Sequence, residues 1–277
     1  MTSLSIDRMV NLDAYPIAAP DSPACQSLVT EMRGRYAENS VCLLPNFLTK
    51  EAVALMAEEA AQAAMDSFRC DDTHNSYLEK DDPSLPEDHP RRRLETTRLN
   101  VVGCDQLASD GALQTLYQWD PLRDFIGQVL GYDSFHRFAD PIGAMAINVM
   151  NEGDTHGWHY DEAMFTVSVM LQAPEEGGQF EFVRGLRSDT HDDYAGLGAV
   201  LDGDYAQTTN IPITPGALLL FGGRNLLHRV TNVVGARTRY IATLCYRDRP
   251  GVTNSPEVRQ LFFGRREPLS GQSSARM

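Results

Sequence analysis

The sequence has no apolar run long enough to cross a bilayer. Its longest, such as Gly216–Phe221, fall far short of the roughly 20 residues that a membrane helix needs. Residues 1–13 lack the apolar core of a secretory signal, so none is expected. Cysteine is scarce: five residues, odd in number, widely spaced and without a CxxC pair. That excludes a disulfide framework and points to reduced, mostly structural thiols in a cytoplasmic setting. Positive charge is short as well, with 24 Lys and Arg against 38 Asp and Glu, a net charge of −14. Such a surface repels phosphate backbones, which argues against a nucleic-acid partner but not against a cationic or zwitterionic small molecule. No internal repeat is visible. Gly196-Leu197-Gly198 lacks the third glycine and the strand–helix setting of a dinucleotide loop. Ala275-Arg276-Met277 matches a C-terminal peroxisomal address only loosely and reads better as an unstructured tail.

What remains is an ordinary globular composition in a chain long enough for a large core, expected to form one catalytic domain over residues 1–277. Residues 1–134 read as a helical and mixed support. A helix is expected around Ser27–Tyr36 and a short buried strand within Ser40–Leu48. Thr49 can cap a following alanine-rich helix that has Glu51 in its first turn and runs to about Met65. Arg69–Arg93 has no apolar period and is expected to lack structure of its own, which makes it a candidate lid. Arg98–Val102 fits a strand and Leu113–Val129 a helix. Over residues 135–250 the texture changes to short apolar runs separated by turn signals: Gly143–Met150, Phe165–Leu171, Gln179–Val183, Ala217–Phe221 and Arg239–Tyr246. Many short strands at this spacing predict a β sandwich or barrel, with residues 251–277 as a C-terminal extension.

His159-Tyr160-Asp161 sits among these strands. On extended chain, residues two apart project to one face, so His159 and Asp161 can share a metal. His228, just past the strand Ala217–Phe221, supplies a third ligand. Two histidines and a carboxylate on one face of an octahedron leave three positions open, which suits Fe(II). For His74, His89, His136 and His191 the ordinary reading, a satisfied or exposed side chain, is preferred.

An isolated HxD is common by chance, but its order here is not. It is followed by a Pro215-Gly216 turn, an apolar strand, His228-Arg229-Val230-Thr231-Asn232-Val233, Gly235, then Arg237-Thr238-Arg239-Tyr240-Ile241. Over roughly Asp140–Asp248 this series resembles the 2-oxoglutarate/Fe(II) dioxygenases. The resemblance implies a mainly β fold with α, a double-stranded β-helix (jelly roll, cupin-like) supported by N-terminal helices. It also implies Fe(II), 2-oxoglutarate and O₂ as cofactor and cosubstrates, with succinate and CO₂ as coproducts. The far carboxylate of 2-oxoglutarate needs a bidentate arginine. Arg237 and Arg239 both qualify, and Arg239 is preferred because the apolar strand begins directly after it. Thr166 or Ser168 can add a hydrogen bond to the cosubstrate.

The segment His156-Gly157-Trp158-His159-Tyr160-Asp161-Glu162 and Glu176-Gly177-Gly178-Gln179-Phe180-Glu181-Phe182 are similar to the radical halogenases of free amino acids and their hydroxylase relatives. In those halogenases glycine replaces the carboxylate of HxD and frees a site for chloride. Asp161 fills that site here, so the resemblance implies oxidation of an unactivated C–H: hydroxylation, desaturation or ring formation. It also implies substrate contacts from His156 and Glu162, and from an upstream arginine, Arg98 first and Arg93 second. Thr243 and Cys245, on the strand after the distal arginine, hint at an amino acid shorter or more apolar than lysine. A prolyl-type hydroxylase acting on a peptide, and a non-catalytic metal-binding jelly roll, are the alternatives.

Overall fold

The computed structural model describes residues 4–269, so the Ala275-Arg276-Met277 tail lies outside the described residues. Three strands precede the strand-rich region: β1 (Val41–Leu44), β2 (Phe68–Asn75) and β3 (Leu94–Gly103). The strand-rich region adds β4 (His136–Arg137), β5 (Met145–Met150), β6 (Thr155–His159), β7 (Thr166–Gln172), β8 (Glu176–Gly177) and β9 (Phe180–Val183). It then continues with β10 (Thr209–Ile211), β11 (Leu218–Phe221), β12 (Leu227–Val230), β13 (Val233–Val234), β14 (Arg239–Leu244) and β15 (Tyr246–Arg247). Antiparallel pairing links β1-β11-β7-β14-β5-β3 and then β6-β12-β9-β10, with β2 added along β3. Strand β3 is the turning point, pairing β5 through Asn100–Gly103 and β6 through Thr97 and Arg98. The sheet thereby curls into the two facing layers of a double-stranded β-helix.

The helices are α1 (Ile6–Met9), α2 (Pro23–Asn39), α3 (Lys50–Ala63), α4 (Ala112–Gln118), α5 (Asp120–Leu130), α6 (Tyr194–Leu201) and α7 (Pro256–Phe263). Thr49 caps α3 by accepting the Ala52 N–H, and Ala52, Met56 and Ala60 are the stripe that α3 buries. Small residues there let the helix lie close to the sheet. The single helix expected over Leu113–Val129 is two, because Pro121 has no N–H to continue the first and is suited to open the second. Leu122, Phe125, Ile126 and Val129 of α5 then pack with Val167, Val169 and Leu171 of β7 and Tyr240, Ala242 and Leu244 of β14 in the main core. Strand alternation leaves Thr166, Ser168, Arg239 and Thr243 on the opposite, inward face.

Two expectations need correction. The 69–93 segment is not structureless: β2 pairs with β3 over eight residues, Phe68 to Asn75. The run of aspartates hides this strand, since only Phe68 and Cys70 mark its apolar face. The rest of the segment is docked rather than free. Tyr77 packs with Trp158, Tyr160 and Leu197, the His89 ring lies 4.7 Å from that of Tyr194, and Arg93 pairs with Asp202. Nor do helices simply precede strands, because α6 sits between β9 and β10 and covers the outside of the smaller layer. The five cysteines are all free thiols. No helix among the described residues is long and apolar enough to cross a membrane.

Asp140 ties the C-terminal extension to the barrel. Its fully buried carboxylate accepts the N–H groups of Ile142, Gly143 and Asn254 and pairs with Arg259 at 2.9 Å. Asp140→Ala leaves a guanidinium and three N–H groups without their acceptor, so a loss of about 3–5 kcal/mol is expected from urea denaturation. A midpoint and slope unchanged from wild type would show that the extension does not depend on this anchor.

Candidate metal centre

Strands β6 and β12 run side by side, and their register sets His159 directly opposite His228. Asp161 lies just beyond the end of β6, where its N–H donates to the Gly223 carbonyl at 2.9 Å. Alternation persists through the turn: Tyr160 packs outward against Tyr77, while His159 and Asp161 face inward. The ligand atoms of His159, Asp161 and His228 all lie within 4.8 Å of one another, with each Nε2 3.6 Å from Asp161 Oδ1. Both imidazoles are nearly fully buried. His159 Nδ1 meets the Gly157 carbonyl at 2.7 Å and His228 Nδ1 the Leu226 carbonyl at 2.8 Å. A carbonyl only accepts, so each Nδ1 must carry the proton, and each Nε2 lone pair is left for a cation.

The electrostatics agree with that tautomer. Burial, and secondly the neighbouring His228, push His159 down to about 4, so it is neutral at pH 7. Burial works against the charge of Asp161, but the His228 and His159 rings beside it hold its carboxyl well below the usual carboxylate range. Two imidazoles that each turn Nε2 inward, with an ionised carboxylate between them, form a donor set that fits a divalent first-row metal with positions to spare.

The remaining residues singled out in the sequence divide into those brought to this centre and those kept from it. His156 is brought there by a β-bulge. Between the His228–His159 and Val230–His156 pairs β6 carries one residue more than β12, which turns His156 onto the face of His159. Their rings stack at 3.7 Å. Gly157 permits the bulge, since a Cβ there would lie 2.7 Å from Glu95 Cβ. Thr166 does not stand free for a cosubstrate: its hydroxyl donates to Asp161 Oδ2 at 2.5 Å and orients the carboxylate. Ser168 and Thr243 face each other across β7 and β14. Cys245 lies close enough to feel the charge of Asp161, and burial pushes its thiol up to about 11, so it stays protonated.

Arg239 is 1% exposed, and no carboxylate among the described residues pairs with it. Its Nε donates to the Gly178 carbonyl at 3.0 Å, Nη1 lies 3.5 Å from Met150 Sδ, and burial pushes its pKa down to about 10. Arg237, by contrast, is exposed and spends its donors on the Ala173 and Pro174 carbonyls.

Three expected substrate contacts stand apart. Glu162 is exposed and has no ion-pair partner among the described residues. Arg93 is engaged by Asp202 and the Leu201 carbonyl. Arg98 leaves β3 on the face opposite to Thr97, and it is Thr97 that reaches the histidines. Its hydroxyl meets His74 Nε2 at 2.6 Å, and the His74 ring lies edge-on to His159 at 6.0 Å. His74 is thus a satisfied side chain, its other nitrogen meeting the Asn75 carbonyl, but one packed against the ligand histidines. Its place on alternate positions with Phe68 and Cys70 was the available signal.

Gly223 completes the brace around Asp161, because a Cβ on it would sit 2.1 Å from Asp161 Oδ2. Gly223→Ala is therefore expected to displace the carboxylate, and Thr166→Val to release it. Each should weaken Fe(II) binding by about 10–100-fold with far-UV circular dichroism unchanged. Equal affinity in anaerobic metal titrations of both variants would show that Asp161 needs neither support.

A family model described as Halogenase D matches residues 25–257. No curated protein resembles the chain closely enough in sequence to count as a relative. Among solved structures, the epimerase SnoN in complex with Fe3+, alpha ketoglutarate and nogalamycin RO aligns at 17% identity and a TM-score of 0.58. That alignment covers 91% of this chain and 94% of SnoN. The carbocyclase SnoK from nogalamycin biosynthesis aligns at 18% identity and 0.55, covering 87% and 93%. A 2OG-Fe(II) oxygenase family oxidoreductase from Burkholderia pseudomallei aligns at 15% and 0.51, covering 81% and 92%. At these identities the likeness is one of fold, and that fold is the double-stranded β-helix of the 2-oxoglutarate/Fe(II) oxygenases. With the family model covering most of its length, the chain belongs to the Halogenase D family.

Proposed function

We propose that the protein is an Fe(II)- and 2-oxoglutarate-dependent oxygenase that oxidises an unactivated C–H bond of a small substrate, of the free amino-acid class. The observation that carries this reading is the pairing of an intact His159–Asp161–His228 set with a buried, carboxylate-free Arg239 inside one barrel. An isolated buried guanidinium is costly, and a barrel that keeps one is suited to a ligand that brings the missing carboxylate. His159, Asp161 and His228 would hold the iron. Arg239 would hold the far carboxylate of 2-oxoglutarate, with Ser168 and Thr243 on the inward wall between layers.

Bound together, Fe(II), 2-oxoglutarate and O₂ supply the oxidising power for hydrogen abstraction. The chain's own groups do the rest. Thr166 and the Gly223 carbonyl fix Asp161, the two backbone carbonyls fix the histidines, and His156, stacked on His159, reaches toward the substrate side. The buried walls exclude bulk water from the target carbon. Asp161 also bears on the outcome. With Asp161 as a third protein ligand beside a chelating cosubstrate and O₂, an iron held here would have no place left for a halide. Oxygenation is therefore proposed for this member of a halogenase family.

Anaerobic titration of Fe(II) and 2-oxoglutarate should produce the weak visible charge-transfer band of the chelate, and His228→Ala should abolish it. Arg239→Met should lose the band at concentrations that saturate wild type, while its metal-free form melts no lower, since an uncompensated buried charge has been removed. Saturating 2-oxoglutarate at about 100 times its Kd should stabilise the iron-loaded wild type by about 2.7 kcal/mol and the variant not at all. A folded, iron-loaded protein without the band would sink this function.

A further inference from the structure

The inner face of the barrel is polar on one side only. Strands β7 and β14 turn Thr166, Ser168, Arg239 and Thr243 inward, whereas β1, β9 and β11 turn apolar side chains inward. Register fixes this: Phe182 stands opposite His228 and Phe180 opposite Val230, while Phe221 stands opposite Thr166. These rings join Val41, Leu219 and Leu226 in a buried apolar cluster, with the partly buried Ile211 and Ile213 packed against it. One end of the cluster touches the metal centre. The Phe221 ring lies edge-on to the His228 imidazole at 4.9 Å, the Phe180 ring lies 5.6 Å from it, and the two phenyl rings are 4.9 Å apart. The other end reaches the surface. A cavity of about 450 Å³ is lined by Phe180, Ile211 and Ile213, and also by Gly178, the residue whose carbonyl accepts from Arg239. Phe180 therefore lines the cavity and stands against a ligand imidazole at once.

A file of this chemistry suits neither of the larger reactants. 2-Oxoglutarate and an amino acid are both charged, and the ionisable side chains that line the cavity are Glu175 and Glu176, both exposed. They repel an anion at the entrance, and the phenyl rings beyond offer a charged group no hydrogen bond. O₂ is small and apolar, so it is favoured in such surroundings over water. Cavities lined by Leu, Ile and Phe take up comparable apolar solutes such as xenon. Side chains of a packed core still hop between rotamers, so a gas can pass without a permanent bore. The file also comes to the centre at His228, whereas His156, proposed for the substrate side, is stacked on His159.

We propose that this apolar cluster is the passage by which O₂ reaches the metal centre, entering at the cavity beside Ile211 and Ile213 and arriving past Phe180 and Phe221. The inference rests on the oxygenase reading above. It gives the gas and the charged reactants separate ways in. O₂ can then arrive after a bound substrate has covered its own approach, and water, which the phenyl rings do not hydrogen-bond, does not follow it.

The first test uses the metal-free full chain with methyl-labelled Ile, Leu and Val, and O₂ itself as the probe. Dissolved O₂ is paramagnetic and broadens the NMR signals of the methyl groups it visits. Leu219 and Leu226 should broaden several-fold more than Leu122 and Ile147, which are as deeply buried but lie in the main core. Equal broadening in the two sets would overturn the passage. The second test follows nitric oxide, a gas of similar size, by stopped flow as it binds the full chain loaded anaerobically with Fe(II) and 2-oxoglutarate. Ile213→Trp, which fills the cavity, should slow this association by about tenfold, with the chelate band and Fe(II) affinity as in wild type. Ile213→Ala should not slow it. Association at the wild-type rate in a folded Ile213→Trp would overturn the passage. If that variant is unstable, the methyl broadening, which needs no substitution, decides by itself. An iron-loaded wild type without any chelate band would instead refute the oxygenase reading.

Discussion

The guanidinium of Arg239 sits inside the barrel with a backbone carbonyl and a thioether for company. Charge in such a place costs several kcal/mol unless an anion answers it. The walls cannot supply the anion: inward positions of β5, β7 and β14 near it carry Met150, Met170, Ser168 and Ile241. Burial alone accounts for its lowered pKa, since no carboxylate among the described residues pairs with it. Much else follows from keeping this charge buried. The larger layer turns its apolar residues outward to α2–α5, so that its inner face is free for polar groups.

The metal centre is built by bracing rather than by the ligands alone. Each imidazole donates its Nδ1–H to the backbone carbonyl two residues back along the chain. Asp161 is held by the Thr166 hydroxyl, by its own N–H on Gly223, and by a neighbour too small to push it aside. Such outer contacts fix tautomer and direction before any cation arrives, so little reorganisation accompanies binding. Thr166, expected to serve the cosubstrate, is one of these braces. The β-bulge does similar work for His156, turning a residue three before His159 onto the same side, where a regular strand would have directed it away.

The covering of the smaller layer explains why the 69–93 segment looked unstructured. The contacts that dock it are to residues distant in sequence: Tyr77 to Tyr160, Arg93 to Asp202, His89 to Tyr194. None leaves a period in the local sequence, because a loop packed by a few aromatic and ionic anchors has none.

What the sequence by itself determined is therefore local and periodic. The strands from Met145 onward, the capped α3 and the HxD pair can all be read from alternation, turn residues and side-chain chemistry. These depend on neighbours a few positions away. The tertiary structure alone decided what depends on register and on faces. It set His159 opposite His228, placed Thr97 rather than Arg98 on the histidine side of β3, and gave β3 its double pairing. A shift of one residue in β3 would exchange Thr97 for Arg98 at the site. It brought His74 into the centre through a strand whose pattern is masked by acidic residues, and left Glu162, Arg93 and Arg98 outside it. Long-range pairing chooses the face that each residue shows, and no count along the chain contains that choice.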